Sequence, residues 1–468
     1  MAIRFGTSGW RAIIADEFTF AGVRRVTRAI CQHLRASGSA DDAVIIVGYD
    51  TRFLGERFAA ECVKEIAAQG FRALLCNHPT PTPAISHAIR IERAAGGINF
   101  TASHNPPEYN GMKFSTADGA PALPDVTKHV EQLIGEIQAI GEGAEPSPAE
   151  SNFESYDPRP RYFDDLARKV RFEVIARAGG MYAYDSLWGT GRGYLDEVLR
   201  MHGAEVVTIH DWRDVMFGGR APEPESSHLD ELREAVSKHG CALGMATDGD
   251  GDRFGVIDGN GSFITPNQLI ALLFDYLAES RGWTGGVARS VATSHLVDRV
   301  AKARSLPVYE TPVGFKFIGE LINEDKIILG GEESAGISIK GHYPEKDGIL
   351  ACLLAAEAVA ARGASLSEQL AALYGRVGRL ESGRIGVRLT PELVVSLPEK
   401  LKQEPTEIGG RHVERVNRMD GVKFIFADGS WLLMRPSGTE PLVRIYAESE
   451  SDQTLEELLE HGRKFILG

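Results

Sequence analysis

The alternation of short apolar runs with amphipathic segments limits the fold of this chain more than any other feature. Residues 43–49 (AVIIVGY) form an apolar run that ends at Asp50 and read as a buried strand. Residues 56–69 carry helical periodicity and stop at Gly70, a C-cap residue. Residues 71–76 read as a strand, 82–93 as a helix and 97–102 as a further strand. Strands separated by helices pair in parallel, because the helix must cross over before the next strand enters the sheet. A Gly/Glu/Pro/Ser-rich stretch, 141–152, reads as a linker. The alternation resumes with strands at 181–185, 204–209 and 242–247 and helices at 193–201 and 229–239. A third unit of similar rhythm starts near Gly259, with a helix at 267–279, strands near 288–293 and 326–329, and a long helix after Asp347.

The rhythm changes from about Gly375. Short strand-like runs at 384–389, 422–426, 431–434 and 442–447 are joined by turns such as Met419-Asp420-Gly421 and Ala427-Asp428-Gly429, and a last helix starts near Gln453. This segment reads as an α+β domain with a hairpin-rich sheet. The expected divisions are residues 1–150, 151–258, 259–374 and 375–468.

Composition narrows the function. The formal net charge is -14, so the chain is a poor general nucleic-acid binder. Any anion it binds must meet a local cationic site. Cys31, Cys62, Cys76, Cys241 and Cys352 are odd in number and not spaced as a metal knuckle or redox pair, which points to reduced thiols and the cytoplasm. The opening MAIRFGTSGW has no apolar segment of a signal peptide. No apolar run reaches transmembrane length; the longest, 349–361, is broken by Glu357 and reads as a buried helix.

Four motifs carry chemistry. Residues 101–107 (TASHNPP) follow a strand, and the prolines stop any helix, so Ser103 and His104 are expected on a rigid exposed loop. A serine hydroxyl held there can accept and return a phosphoryl group. Lys113 follows within reach and can neutralise phosphoryl charge or move a proton. The same residues also describe a polar, proline-terminated turn. Residues 247–254 (TDGDGDRF) alternate Asp248, Asp250 and Asp252 with glycines. The same residues also describe an Asp-Gly turn between strands, but three carboxylates in five residues repel without a cation and suit one Mg²⁺. Arg253 beside them can pair with a phosphate oxygen. An EF-hand is excluded, because its glycine position is Arg253 and its closing Glu position is Gly259. Residues 330–336 (GGEESAG) are a glycine-framed loop presenting Glu332 and Ser334, a donor and acceptor set for vicinal sugar hydroxyls or simply a turn after a strand. Residues 435–441 (RPSGTEP) combine Arg435, Ser437, Gly438 and Thr439, with Arg444 nearby, into a nest for a dianion or simply a surface turn. There is no nucleotide P-loop, and the third glycine of a dinucleotide loop at 189–193 would fall on Tyr194.

In this order, these motifs resemble the α-D-phosphohexomutase family, phosphoglucomutases and phosphomannomutases in particular, over essentially the full chain. The resemblance implies an α/β fold of three similar domains with mixed sheets around a central cleft, plus a smaller C-terminal α+β domain. It implies that Ser103 is the phosphorylated serine and that Mg²⁺ is held by Asp248, Asp250, Asp252 and Ser103. By the same resemblance Arg253 and, through the opening GTSGWR, Arg11 belong to the active site. His104, Lys113 and Lys316 (in Val313-Gly314-Phe315-Lys316) fall at positions of proton transfer or substrate contact. Glu332 and Ser334 fall at the sugar-hydroxyl contacts, and Arg435, Ser437, Gly438, Thr439 and Arg444 at the non-reacting phosphate.

The implied activity interconverts a hexose 1-phosphate and a hexose 6-phosphate through a hexose 1,6-bisphosphate. A phosphoenzyme is needed because the two sugar oxygens are too far apart for a direct transfer. The GEES core and Glu345-Lys346-Asp347-Gly348 resemble glucose-type enzymes, so glucose phosphates, with glucose 1,6-bisphosphate as activator, are expected first. Mannose, glucosamine and pentose phosphates follow. The partner is a small phosphosugar, with no membrane or nucleic acid, and the protein is expected as a monomer or homodimer. The rivals are a phosphatase that hydrolyses phosphorylated Ser103 and a catalytically silent phosphosugar binder.

Overall fold

The computed structural model describes residues 3–5, 9–140, 153–437 and 441–468. The expected linker at 141–152 lies outside the described residues. Four sheets organise the described residues. The first runs Trp10–Ile13, Tyr109–Thr116, Gly96–Phe100, Val44–Tyr49, Arg72–Cys76, Phe153–Tyr156. The second runs Phe263–Ile264, Phe254–Asp258, Leu243–Thr247, Met181–Asp185, Glu205–Ile209. The third runs Val308–Thr311, Gly286–Ser290, Ile327–Glu332, Gly336–Ile339. The strand Phe153–Tyr156 pairs in parallel with Arg72–Cys76, so the first sheet reaches past residue 150.

The three sheets share one construction. Each has a parallel centre, as the strand–helix alternation requires. Each then turns back once, adding an antiparallel strand: Gly96–Phe100 to Tyr109–Thr116, Leu243–Thr247 to Phe254–Asp258, and Ile327–Glu332 to Gly336–Ile339. The sheets are therefore mixed. The three connections at these reversals carry the TASHNPP, TDGDGDRF and GGEESAG motifs. One topological position, used three times, presents three chemistries.

The C-terminal sheet is antiparallel, in the order Glu381–Arg388, Leu442–Ser449, Trp431–Pro436, Val422–Phe426, Arg411–Asn417, Glu407–Ile408. The helices Pro391–Lys402 and Asp452–Leu467 accompany it. It has its own apolar core, as does the first unit. The second and third units share one continuous core through the helix Gly348–Arg362. Ten residues of that helix are apolar or glycine and buried, and its one buried charged residue, Glu357, is satisfied rather than exposed. It accepts from Tyr276 Oη at 2.5 Å, Arg171 N at 2.9 Å and Arg281 Nη2 at 2.7 Å. Among the described residues no single helix is long and apolar enough to cross a membrane.

Candidate active site

The first reversal places Ser103 against the second. Ser103 was expected on an exposed loop, yet it is only 1% exposed, because the aspartate loop of the neighbouring unit packs over it. A Cβ on Gly249 would lie 2.7 Å from Ser103 O, so this approach requires glycine. Ser103 Oγ donates to Asp248 Oδ2 at 2.9 Å and lies 3.2 Å from His104 Nδ1. The Ser103 backbone is left-handed, with φ of 51°.

Asp248, Asp250 and Asp252 are fully buried, and their ligand atoms lie within 4.8 Å of one another. Asp248 Oδ1 accepts the backbone N–H groups of Asp252 and Arg253 at 2.9 and 3.0 Å. Lys113 Nζ donates to Asp250 Oδ2 at 2.6 Å and Asp252 Oδ2 at 2.8 Å. Lys346 Nζ donates to Asp252 Oδ2 at 2.6 Å. Thr82 Oγ1 donates to Asp250 Oδ2 at 2.5 Å. The Oδ2 atoms of Asp250 and Asp252 thus accept two donors each, whereas among the described residues their buried Oδ1 atoms have no hydrogen-bond partner. Orphaned carboxylate oxygens beside a serine hydroxyl are a hard-oxygen donor set that fits Mg²⁺.

The electrostatics follow from this arrangement. Burial, with Asp252 and Asp250 adding to it, pushes Asp248 well above the usual carboxylate value. Burial acts the same way on Asp252, but Lys113, Lys346 and Arg253 outweigh it and hold that carboxyl low. Lys113 keeps its proton more firmly than an ordinary lysine: burial opposes the charge, and Asp250 and Asp252 overcome that. His104 is held well below the usual imidazole value by burial, then by Arg253 and Arg11. Arg253 pairs with Glu223 at 3.2 Å, and its buried Nε has no partner among the described residues. Arg11 Nη1 donates to Asn105 Oδ1 at 2.8 Å, within the serine loop.

Glu332 was expected in a loop, yet it ends the strand Ile327–Glu332, and the turn spans only 333–335, with Ala335 left-handed at φ 68°. Within that strand Gly331 leaves room for Ile270, whose side chain would lie 2.8 Å from a Cβ there. Gly314 N donates to Glu332 Oε1 at 2.7 Å, and burial, then Glu333, raises Glu332 to about 7. Ser334 and Lys316 are half-buried, with Lys316 Nζ 5.5 Å from the Phe317 ring centroid.

Arg435 and Arg444 face each other in register on adjacent antiparallel strands. Arg435 Nε donates to Asp420 Oδ2 at 2.8 Å, and the same oxygen accepts Val313 N at 3.0 Å. Val313 adjoins Gly314, so a short polar chain joins Arg435 to Glu332. Ser437 N donates to Leu442 O at 2.7 Å. Gly438 and Thr439 lie outside the described residues.

Three participants were not singled out from sequence: Thr82, Lys346 and Arg52. Thr82 and Arg52 stand in unremarkable helix and turn contexts. Lys346 had a signal in the Glu-Lys-Asp-Gly run, and Asp347 explains its placement. That carboxylate caps the helix Gly348–Arg362 at Leu350 N, 2.8 Å, and accepts from Tyr162 and Tyr343 hydroxyls at 2.8 and 2.6 Å.

Known proteins share this architecture. The models of phosphoglucomutase/phosphomannomutase α/β/α domains I, II and III match residues 2–140, 160–261 and 265–377, and that of the C-terminal domain matches 392–463. A phosphoglucomutase/phosphomannomutase of Thermococcus kodakarensis is 30% identical over 99% of this chain and 98% of its own. A probable phosphoglucosamine mutase of Methanothermobacter thermautotrophicus is 31% identical over 99% and 97%. The crystal structure of a putative phosphomannomutase from Thermus thermophilus superimposes with a TM-score of 0.87 at 34% identity, covering 100% of both chains. The three names agree on the chemistry and differ on the sugar.

Proposed function

The chain belongs to the phosphoglucomutase/phosphomannomutase family of phosphohexomutases, which are isomerases, and on that premise we propose that it interconverts glucose 1-phosphate and glucose 6-phosphate through phosphorylated Ser103. The observation that carries this reading is the contact of Ser103 Oγ with Asp248 Oδ2 at 2.9 Å, inside a triad with two orphaned carboxylate oxygens. Mg²⁺ held by Asp248, Asp250, Asp252 and Ser103 supplies Lewis-acid stabilisation of the transferring group.

The residues of the chain account for the rest. The Oγ–P bond of phosphorylated Ser103 breaks as a P–O bond forms to the free hydroxyl of the hexose monophosphate. His104, neutral through burial, takes the hydroxyl proton and returns it to Ser103 Oγ, 3.2 Å away. Lys113 keeps its proton and, with Arg253 and Arg11, balances the phosphoryl charge. The glucose 1,6-bisphosphate turns over, and Ser103 accepts the other phosphoryl group. Glu332 and Ser334 hold the sugar hydroxyls in either orientation, with Lys316 beside them. Arg435, Ser437, Gly438, Thr439 and Arg444 hold the idle phosphate. The buried, unbridged cysteines suit the cytoplasm.

The test is a coupled assay with glucose 1-phosphate, Mg²⁺ and a trace of glucose 1,6-bisphosphate, with Ser103→Ala in parallel. Turnover by the wild type and its loss in the variant are expected. The relatives' names make mannose and glucosamine phosphates the second reading, so both join the panel. Faster turnover on either reassigns the sugar, and no turnover on any member overturns the mutase reading.

A further inference from the structure

We propose that Arg52 is the positioning residue that holds the serine loop in the one conformation from which Ser103 can exchange a phosphoryl group. This rests on Ser103 being the phosphoryl carrier. Arg52 is completely buried just past the strand Val44–Tyr49. Its Nη1 donates to the carbonyls of Pro106 at 2.7 Å and Tyr109 at 2.9 Å. Its Nη2 donates to those of Ser103 at 2.8 Å and Asn105 at 2.5 Å. One planar fork therefore gathers four inward-facing carbonyls of a single loop.

The loop needs such a partner for two reasons. A buried carbonyl without a donor costs about 1–3 kcal/mol, and no backbone N–H of the described residues reaches the carbonyls of Ser103 and Asn105, whereas Pro106 O also accepts Tyr109 N at 3.1 Å. Ser103 is also left-handed at φ 51°, a conformation that a non-glycine residue keeps only when its surroundings impose it. Thr101 Oγ1 accepts Ser103 N at 2.8 Å and Arg52 grips Ser103 O, so both ends of the residue are pinned. The side chain then has one direction left, toward Asp248. Relaxation of Ser103 to an ordinary extended backbone would swing Oγ off the triad.

Arg52 is itself braced. Asp50 Oδ2 lies 3.2 Å from its Nε, and the Phe217 ring centroid lies 5.0 Å from its guanidinium carbon. Arg213 donates to the carbonyls of Thr51 and Arg52, each at 3.2 Å. Lysine cannot replace it, because a single ammonium cannot span two pairs of carbonyls in one plane.

The experiment compares Arg52→Lys, the milder Asp50→Asn and Ser103→Ala with the wild type. Calorimetry measures Mg²⁺ affinity, and rapid-quench mass spectrometry measures the rate at which glucose 1,6-bisphosphate phosphorylates Ser103. The expected result is a split: Arg52→Lys weakens Mg²⁺ binding no more than Ser103→Ala does, because the three aspartates stand on another loop, while phosphorylation slows about 100-fold, the effect of a misplacement near 1 Å. Asp50→Asn is expected to slow it about tenfold. Phosphorylation at the wild-type rate in Arg52→Lys, or in Asp50→Asn should Arg52→Lys not fold, overturns the proposal. Absence of phosphate on wild-type Ser103, or turnover by Ser103→Ala, overturns the carrier reading instead.

Discussion

Glu332 is 4% exposed and titrates at about 7 rather than 4.5. A carboxyl whose folded value is raised contributes stability that is complete below pH 4.5 and is lost as pH rises through about 7. The loss amounts to about 3 kcal/mol. Glu332→Gln removes it, so the variant should melt above the wild type at pH 8, and the gap should close toward pH 4.5. If Glu332 accepts from sugar hydroxyls as proposed, the variant's KM for the hexose phosphate should rise about tenfold, since a carboxylate acceptor becomes an amide. A melting difference independent of pH would show that Glu332 is ionised throughout. Asp248 gives the companion case, because burial and two neighbouring carboxylates already oppose its charge. Asp248→Asn should therefore melt higher than the wild type in EDTA, yet show none of the stabilisation that millimolar Mg²⁺ is expected to give the wild type. Scanning calorimetry with and without Mg²⁺ checks both halves.

At the scale of elements, the strand–helix rhythm was legible because parallel strands buried on both faces read as continuous apolar runs, as at Val44–Tyr49 and Leu243–Thr247. The reversal strand Tyr109–Thr116 was not legible: its polar Asn110, Lys113 and Ser115 look like loop, yet all three are buried, Lys113 against Asp250 and Asp252. The strand Phe153–Tyr156 is half-polar and defined solely by its pairing. Site motifs were visible as clusters of unusual residues, whereas Arg52 and Thr82 act through contacts that exist only after folding. The close approach of two reversals is one such contact, and two glycines separate its effect from backbone strain. Gly240 is left-handed at φ 63° with open space around it, so Gly240→Ala should cost about 1 kcal/mol of stability and leave kcat unchanged. A side chain at Gly249 would meet Ser103 O at 2.7 Å and Pro222 at 2.9 Å. Gly249→Ala should lower kcat about 100-fold by pushing the serine and aspartate loops apart. Equal effects of the two variants on kcat would refute the distinction.

Over the whole molecule, the second and third units are welded by a common apolar core, whereas the C-terminal unit, with its own core, docks on the third in part through polar groups. Lys423 is at the centre of that seam, 1% exposed. It donates to Val291 O at 2.8 Å, lies 2.9 Å from His295 Nε2, and stands 3.9 Å from the Trp431 ring centroid. Glu310 is 3.7 Å away, and Glu448 is taken up by His295 N and Trp431 Nε1. Burial, then Arg289, lowers Lys423 from 10.5 to about 7. For a depressed lysine the folded state is penalised while both states are charged, so stability is lost as pH falls through about 7 and recovered toward 10.5. Lys423→Met carries no such penalty, and the carbonyl it leaves unpaired costs the same at every pH. The variant's melting temperature, relative to the wild type, should therefore be highest near pH 6 and decline toward pH 9, a change on the order of 3 kcal/mol. A constant difference across that range would mean that the Trp431 face and Val291 O keep Lys423 charged, and that the seam is closed by a fixed cation.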